Sequence, residues 1–437
     1  MVPGGLALYF ALYDSERISF MRFLHIADLH FGKSLHDCSL VEEDQPYWAD
    51  RFLELTDKVK PDAVLIAGDV YDRSSPSGEA VRLLDAFLTG LHERGIQVLM
   101  ISGNHDSGQK LSFAERLLED QGVHIAGIVG REIRHVTLED QYGPVTFWLL
   151  PYIFPALVSQ VLEDDSIRDY DTACRRLLAE QDIDFSGRNV LIAHQNVVRD
   201  GVEAERGGSE TMIGGVGAID YTAFDGFTYV ALGHIHAAQP VGRKTVRYSG
   251  SPLCYHFSET RQSVKGPVLV ELGEAGEEAS IEICQIEPLH PLREIRGTYS
   301  QILEEEKKRT ARDEYLRIAL TDRTRVPDAA EKLRAFFKGK GSRVLELVHE
   351  GTGPALKARA GGDARRKSLT ELFTDFYFDR SGEKLPGSAE KAIIDYAAEH
   401  AGRAGDLGEG LFPDEKQTEA FVRFILRQED AGKGGEA

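Results

Sequence analysis

Cysteine is scarce in this chain. Its 437 residues hold four, Cys38, Cys174, Cys254 and Cys284, and no two form a C-x-x-C pair. That excludes a thiolate zinc cluster built on closely spaced pairs, and it fits a reducing compartment, so a cytoplasmic location is expected. Long apolar runs are also absent. None approaches the ~20 residues of a membrane-spanning helix, and no membrane association is expected. The first twenty residues carry a short apolar patch without a basic leader region or an A-x-A-like cleavage site, so they do not read as a secretory signal. Met21 opens a strand-like "MRFLHIAD", which makes residues 1–20 an N-terminal extension. Basic charge is in deficit. Lys and Arg number 51 against 71 Asp and Glu, for a net charge of -20. A simple electrostatic nucleic-acid binder would be basic. Any nucleic-acid contact here must therefore be shared with bound cations, local basic positions or a partner. No G-x-x-x-x-G-K-[ST] loop occurs, so the chain is not expected to handle ATP itself.

What the chain does have is alternation. Strand-like runs at 22–28, 62–69, 97–104, 145–152, 189–195, 227–233 and 267–272 are spaced by helical patterns at 47–60, 78–95 and 112–122. That order predicts a layered α/β core whose sheets are buried on both faces, covering 21–288. A strand, a helix and a strand at 313–322, 327–339 and 342–349 predict a small α+β unit over 289–350. Residues 351–366 are rich in Gly, Ala and charge and read as a linker. Two amphipathic stretches at 368–380 and 390–401 predict a helical segment within 367–437.

Metal-competent side chains gather where five strands end. "ADLHFG" supplies Asp28 and His30. "GDVYD" supplies Asp69 and Asp72, and "GNHD" supplies Asn104, His105 and Asp106. "AHQ" supplies His194, and "GHIH" supplies His234 and His236. Functional groups of an α/β sheet collect beyond the carboxyl ends of its strands. Residues two apart in extended chain point the same way, so Asp28 with His30, and His234 with His236, can each address one cavity. Carboxylates, imidazoles and an amide without thiolate suit Mn²⁺, Fe²⁺ or Zn²⁺ better than Ca²⁺. Seven ligands are too many for one ion and suit two ions roughly 4 Å apart, bridged by one carboxylate. The glycines at 68, 103 and 233 would let backbone approach the ions and a phosphate closely. Each fragment alone has a plainer explanation, as a cap, a turn or a core histidine. The ordered set does not.

That order, D-x-H, G-D-x-x-D, G-N-H-D, H, G-H-x-H, resembles the calcineurin-like metallophosphoesterase superfamily. Within it, "MRFLHIADLHFGKSL", "LIAGDVYDRSSPS", "ISGNHDS" and "YVALGHIHAAQPVG" look like the SbcD family of DNA nuclease subunits. The resemblance implies a layered metallophosphoesterase β-sandwich flanked by helices, a small α+β capping domain and a C-terminal helical segment. It implies that Asp28, His30 and His236 hold one metal ion, that Asn104, His194 and His234 hold the other, and that Asp69 bridges them. His105 would protonate or stabilise the leaving oxygen, with Asp72 orienting it. The ions implied are two divalent cations, Mn²⁺ first and Mg²⁺ as the other choice. The implied activity combines 3′-to-5′ exonuclease action on duplex ends with endonuclease action on single strands and hairpins, in DNA repair, recombination and replication. Implied partners are DNA, an SbcC-type ABC ATPase docking on 367–400, and a second copy of the chain through helices 78–94 and 110–121. The alternative is a metallophosphodiesterase acting on nucleotides or other small phosphoesters, which the acidic charge favours. The stretch "LIAHQNVV" matches the family loosely, so the part of His194 rests on its order in the chain.

Overall fold

A computed structural model describes residues 20–204, 217–261, 264–324 and 326–350. By internal contacts the chain divides into two units, Met1–Thr352 and Gly353–Ala437. The second unit lies outside the described residues. So do residues 1–19, and with them the expectations for the extension, the linker and the C-terminal helical segment.

Two six-stranded sheets form the centre. The first runs in the order Ser280–Ile283, Val268–Leu272, Met21–Ile26, Ala63–Ala67, Gln97–Ile101, Val123–Ala126, and its last four strands are parallel. The second runs Gln239–Val241, Arg243–Tyr248, Tyr229–Gly233, Arg188–His194, Gly143–Leu150, Arg134–Asp140. Its middle four strands are parallel. Alternation along each strand decides which layer a side chain joins. Phe23, Leu65, Leu99 and Ile101 meet Phe147, Leu149, Val190, Ile192 and Tyr229 between the sheets. Leu24, Ile26, Val64, Ile66 and Val98 face outward onto Trp48, Phe52 and Phe87 of two helices. The second sheet turns Leu150, Leu191, Val230 and Leu232 onto Val158, Ala173 and Leu177. Both sheets are thus buried on both faces, as continuous apolar strands require.

The helix Asp44–Val59 buries Trp48, Phe52, Thr56 and Val59, and ends at Lys60 in the left-handed region, φ 48°. The helix Gly78–His92 is capped by Ser77, whose hydroxyl accepts from Ala80 N–H at 3.3 Å. It buries Ala80, Leu84, Phe87 and Leu91. Of the helix expected over 112–122 only Glu115–Glu119 forms, and a separate short helix, Gly108–Leu111, precedes it. Ala114 between them has φ 60°, which a continuous α-helix cannot accommodate.

The small α+β unit is a parallel sheet of Leu292–Gly297, Tyr315–Leu320 and Arg343–His349. Helices Tyr299–Lys308 and Ala329–Lys338 cover one face with Ile302, Leu333 and Phe337. It joins the core through a buried polar knot. Asp44 Oδ1 lies 2.9 Å from His290 Nδ1, Tyr315 donates to Asp44 Oδ2 at 2.8 Å, and Cys38 Sγ donates to the Tyr315 oxygen at 3.3 Å. The Phe257–Arg261 turn also packs against Leu292–Gly297. Both contacts involve chain that has just left the strand-end loops.

Candidate metal centre

The loops at the carboxyl ends of the strands are held in unusual backbone. Asp28 (φ 55°), His30 (φ 44°), Asp69 (φ 49°) and His234 (φ 103°) all lie at positive φ. Such conformations cost on the order of 1–3 kcal/mol each and persist where surrounding structure over-determines them. Here the loops brace one another. The N–H groups of Asp28, His30 and Phe31 donate to the carbonyls of Gly68, Asp69 and Val70 at 3.0, 2.9 and 2.9 Å. Two close approaches need glycine. A Cβ on Gly68 would lie 2.5 Å from His194 Nδ1, and one on Gly233 would overlap the Ala67 carbonyl. The glycines at these points admit the protein's own ligand-bearing strands.

The seven expected ligands converge. His30 Nε2 lies 3.2 Å from His236 Nε2. Asp69 Oδ2 stands between the two halves, 3.7 Å from His30 Nε2 and 3.4 Å from His194 Nε2. Asn104 Oδ1 is 3.1 Å from His194 Nε2 and 3.0 Å from His234 Nδ1. Asp28 accepts the His234 N–H through both carboxylate oxygens, at 3.0 and 3.1 Å. Two wholly buried sets are tight enough for an ion, Asp28 with His30 and His236, and Asp28 with Asp69 and His194. A third, half-buried set of His30, Asp72 and His105 borders the first. Asp28, His30, Asp69, His194, His234 and His236 are all buried.

Electrostatics here are strained in a way a cation would relieve. Burial raises the Asp28 carboxyl to about 6, against the pull of His194 and His236. Burial would raise Asp69 too, but the imidazoles of His194, His30 and His105 hold it below the carboxylate range. Burial lowers His194, yet Asp69 and Asp28 prevail and lift it to about 9. A proton on His194 is thus the counter-charge for Asp69. Burial drives His30 well below its usual value, which favours its neutral imidazole. The two facing Nε2 atoms offer either one weak hydrogen bond or two lone pairs for one cation, and His30 Nδ1 has no hydrogen-bond partner. The donor set therefore fits divalent ions of the Mn²⁺ type.

Three neighbours behave differently from a first reading of the motifs. His105 Nδ1 meets the Asp72 main-chain carbonyl at 2.9 Å. The Asp72 carboxylate turns away, to Lys33 Nζ at 2.6 Å and His30 Nδ1 at 3.6 Å. Asp106 faces no ligand set. It accepts from Val70, Tyr71 and Gly103 N–H at 3.1, 2.9 and 2.9 Å and ties the second loop to the third. Burial together with the Asp69 charge raises its carboxyl to about 6.

Sequence reasoning missed Glu259 and Lys265. Glu259 is 0% exposed, with Oε1 3.2 Å from His236 Nδ1 and Oε2 2.6 Å from Lys265 Nζ. Burial would raise Glu259, but His236 and Lys265 outweigh it and bring it to about 2. A carboxylate behind a ligand imidazole is a common outer support of metal sites. The one available signal was a Glu and a Lys in "YHFSETRQSVKG", just downstream of the last histidine pair.

Comparison with known proteins places the chain in a family. A family model for calcineurin-like phosphoesterases matches residues 21–238. A second, described as the Type 5 capsule protein repressor C-terminal domain, matches 288–380. The chain is 32% identical over 320 residues to the SbcD subunit of the SbcCD nuclease from Staphylococcus epidermidis, covering 72% of this chain and 83% of that one. The Staphylococcus saprophyticus protein of the same name is 32% identical over 320 residues, with 72% and 82% covered. Among solved structures, a dimetal phosphatase from Danio rerio matches with TM-score 0.37 and 13% identity, over 62% of this chain and 98% of that one. A Thermus thermophilus protein matches with TM-score 0.35 and 10% identity, over 61% and 99%. Two packed sheets with the ligand loops at their strand ends, and one third of positions shared across most of the length of two relatives, lead to one assignment: the chain belongs to the SbcD family of calcineurin-like phosphoesterases.

Proposed function

We propose that this chain is the nuclease subunit of an SbcCD-type complex and hydrolyses DNA phosphodiesters with two divalent ions, Mn²⁺ first and Mg²⁺ as the other choice. The observation that carries the reading is the convergence of Asp28, His30, Asp69, Asn104, His194, His234 and His236 from five strand ends on one centre, all but Asn104 buried. Asp28, His30 and His236 would hold one ion, and Asn104, His194 and His234 the other, with Asp69 shared. Such a pair supplies an activated water and neutralises charge on the phosphoryl oxygens. His105 has one ring nitrogen engaged by the Asp72 carbonyl. In its imidazolium form, with Nδ1–H on that carbonyl, it can give the Nε2 proton to the departing 3′-oxygen, which is a poor leaving group without one. Asp72 contributes to that step through its main chain, and its carboxylate supports the His30 side.

Polarity of 3′-to-5′ on duplex ends, and nicking of single strands and hairpins, belong to the same proposal. So do residues 367–400 as the docking segment for the ATPase. Residues 289–350 would be the capping domain, and its anchorage on Asp44 and on the Phe257–Arg261 turn links it to the ligand loops. A second copy of the chain would meet the face of the two short helices, where Phe113 is 81% and Leu117 74% exposed. Exposed apolar side chains this large and this close support that reading.

The acidic surplus keeps a small-substrate phosphodiesterase as the rival. Rates on an end-labelled duplex, a hairpin and a small chromogenic phosphodiester, with Mn²⁺ and with and without an SbcC-type ATPase, separate the two. Cleavage of DNA that outpaces the small ester and rises with partner and ATP is expected. A preference for the small ester, unmoved by partner, would overturn the nuclease reading.

A further inference from the structure

The two histidines that face each other across the centre are each backed by the same three-part arrangement. Behind His236 Nδ1 stands Glu259 Oε1 at 3.2 Å, and Lys265 Nζ lies 2.6 Å from the other oxygen. Behind His30 Nδ1 stands Asp72 Oδ1 at 3.6 Å, and Lys33 Nζ lies 2.6 Å from that oxygen. The two series come from four separate segments of chain. Their ring nitrogens meet at Nε2 to Nε2, 3.2 Å apart.

Each series is also locked from outside. Lys265 donates to Glu259, to the Ser251 hydroxyl at 2.5 Å and to the His236 carbonyl at 2.9 Å. Glu259 Oε2 accepts the Tyr255 N–H at 3.2 Å as well. The carboxylate cannot rotate away without unpairing a buried lysine, which is costly. Lys33 lies 5.5 Å above the Tyr255 ring, so the same tyrosine segment borders both series.

We propose that Glu259 and Asp72, held by Lys265 and Lys33, are paired positioning residues for the metal centre. Glu259 takes the Nδ1–H of His236, and Asp72 Oδ1 faces His30 Nδ1 from 3.6 Å. That fixes the proton on Nδ1 and leaves the Nε2 lone pair of both rings aimed at one point. The inference rests on the metal-centre reading above and goes beyond it, since it gives Asp72 and Glu259 a shared job and brings in Lys33 and Lys265, to which the motifs assign no role. Glu259 is the stronger arm, at hydrogen-bond distance.

The test has two readouts. In metal-free protein with ¹⁵N-labelled histidine, the His236 ring should carry its proton on Nδ1. Glu259→Gln should shift it toward the Nε2–H form, because an amide can present N–H where the carboxylate accepted one. By calorimetry, Glu259→Gln should lower Mn²⁺ affinity at one of two sites by about 10–100-fold, with Glu259→Asp recovering part of it. The double variant Glu259→Gln with Lys265→Met removes the charge pair together, so it stays informative if the single variant folds poorly. It should show the same tautomer and the same weakened site. An unchanged tautomer together with two sites of undiminished affinity in the folded variants overturns the proposal. Failure of the wild type to bind Mn²⁺ would instead sink the two-metal reading, and the tautomer measurement would still judge this one.

Discussion

The two halves of the candidate metal centre would each offer two histidines, with different third groups and different supports. On one side His30 and His236 have carboxylates behind Nδ1, Asp72 at 3.6 Å and Glu259 at 3.2 Å. On the other, His194 Nδ1 meets the neutral carbonyl of Ala67 at 2.8 Å, and His234 Nδ1 points to Asn104. A carboxylate behind an imidazole raises its basicity more than a carbonyl does. The first half should therefore hold its ion more tightly. The second, with an amide oxygen and a carbonyl-backed histidine, should exchange its ion more readily. Equal ligand counts do not make equal sites when their outer contacts differ.

Removing what the halves share is the most severe challenge to this ranking. Asp69 lies within 3.7 Å of a histidine from each. Asp69→Asn should lower DNA hydrolysis by about 10³-fold or more, and calorimetry should find both ions weakened. A loss confined to one ion would show that Asp69 does not bridge. Asn104→Ala strikes the second half alone. It should leave one tight Mn²⁺ site where the wild type has two, with hydrolysis down by about 10²-fold. If the ion that disappears is the tighter one, the ranking of the halves is reversed.

Smaller effects test the scaffold beneath both halves. Gly233→Ala places a methyl on the Ala67 carbonyl, the same group that receives His194. Overpacking of this kind costs about 1–3 kcal/mol, visible as a lower midpoint in denaturant, and it should disturb the second half first. His25 tests the layer between the sheets. Its ring lies 3.1 Å from the Tyr229 hydroxyl and 3.2 Å from the Leu232 carbonyl. Burial, helped by the charge of Arg247, lowers it from 6.5 to about 3. The folded state then binds fewer protons than the unfolded one between those values. Its share of stability is complete above pH 6.5 and is lost as pH falls toward 3. His25→Gln should flatten that part of the stability profile, whereas an unchanged slope would mean that His25 titrates alike in both states.

The core and the convergence of the candidate ligands were legible in the sequence for one physical reason. Strands buried on both faces leave continuous apolar runs, and each run ended in polar residues that a buried strand end would not carry without use. "DAVLIAGD" and "YVALGHIH" show both signals within a single short stretch. Periodicity failed where burial is partial. The strand Leu292–Gly297 alternates charge with half-buried residues, and the helix Tyr299–Lys308 buries Ile302 and Glu306. The break at Ala114 was hidden because alanine favours a helix and its neighbours do too. Glu259 and Lys265 escaped because a supporting contact leaves no spacing rule. Glu259 lies 23 positions from His236 in a short 3-10 turn, and nothing local marks it as buried. Asp72 was legible as part of the site, whereas the direction of its carboxylate depended on Lys33, from a different strand end.

Metal-dependent DNA hydrolysis, with His105 supplying the leaving-group proton, stands or falls on a single assay. It is Mn²⁺-dependent cleavage of an end-labelled hairpin and duplex by wild type and His105→Gln, with bound Mn²⁺ counted in both. Two ions should be found in each protein, with cleavage by the wild type and a loss of about 10²–10⁴-fold in the variant. Equal cleavage by the two proteins, or none by a wild type carrying both ions, would contradict that mechanism.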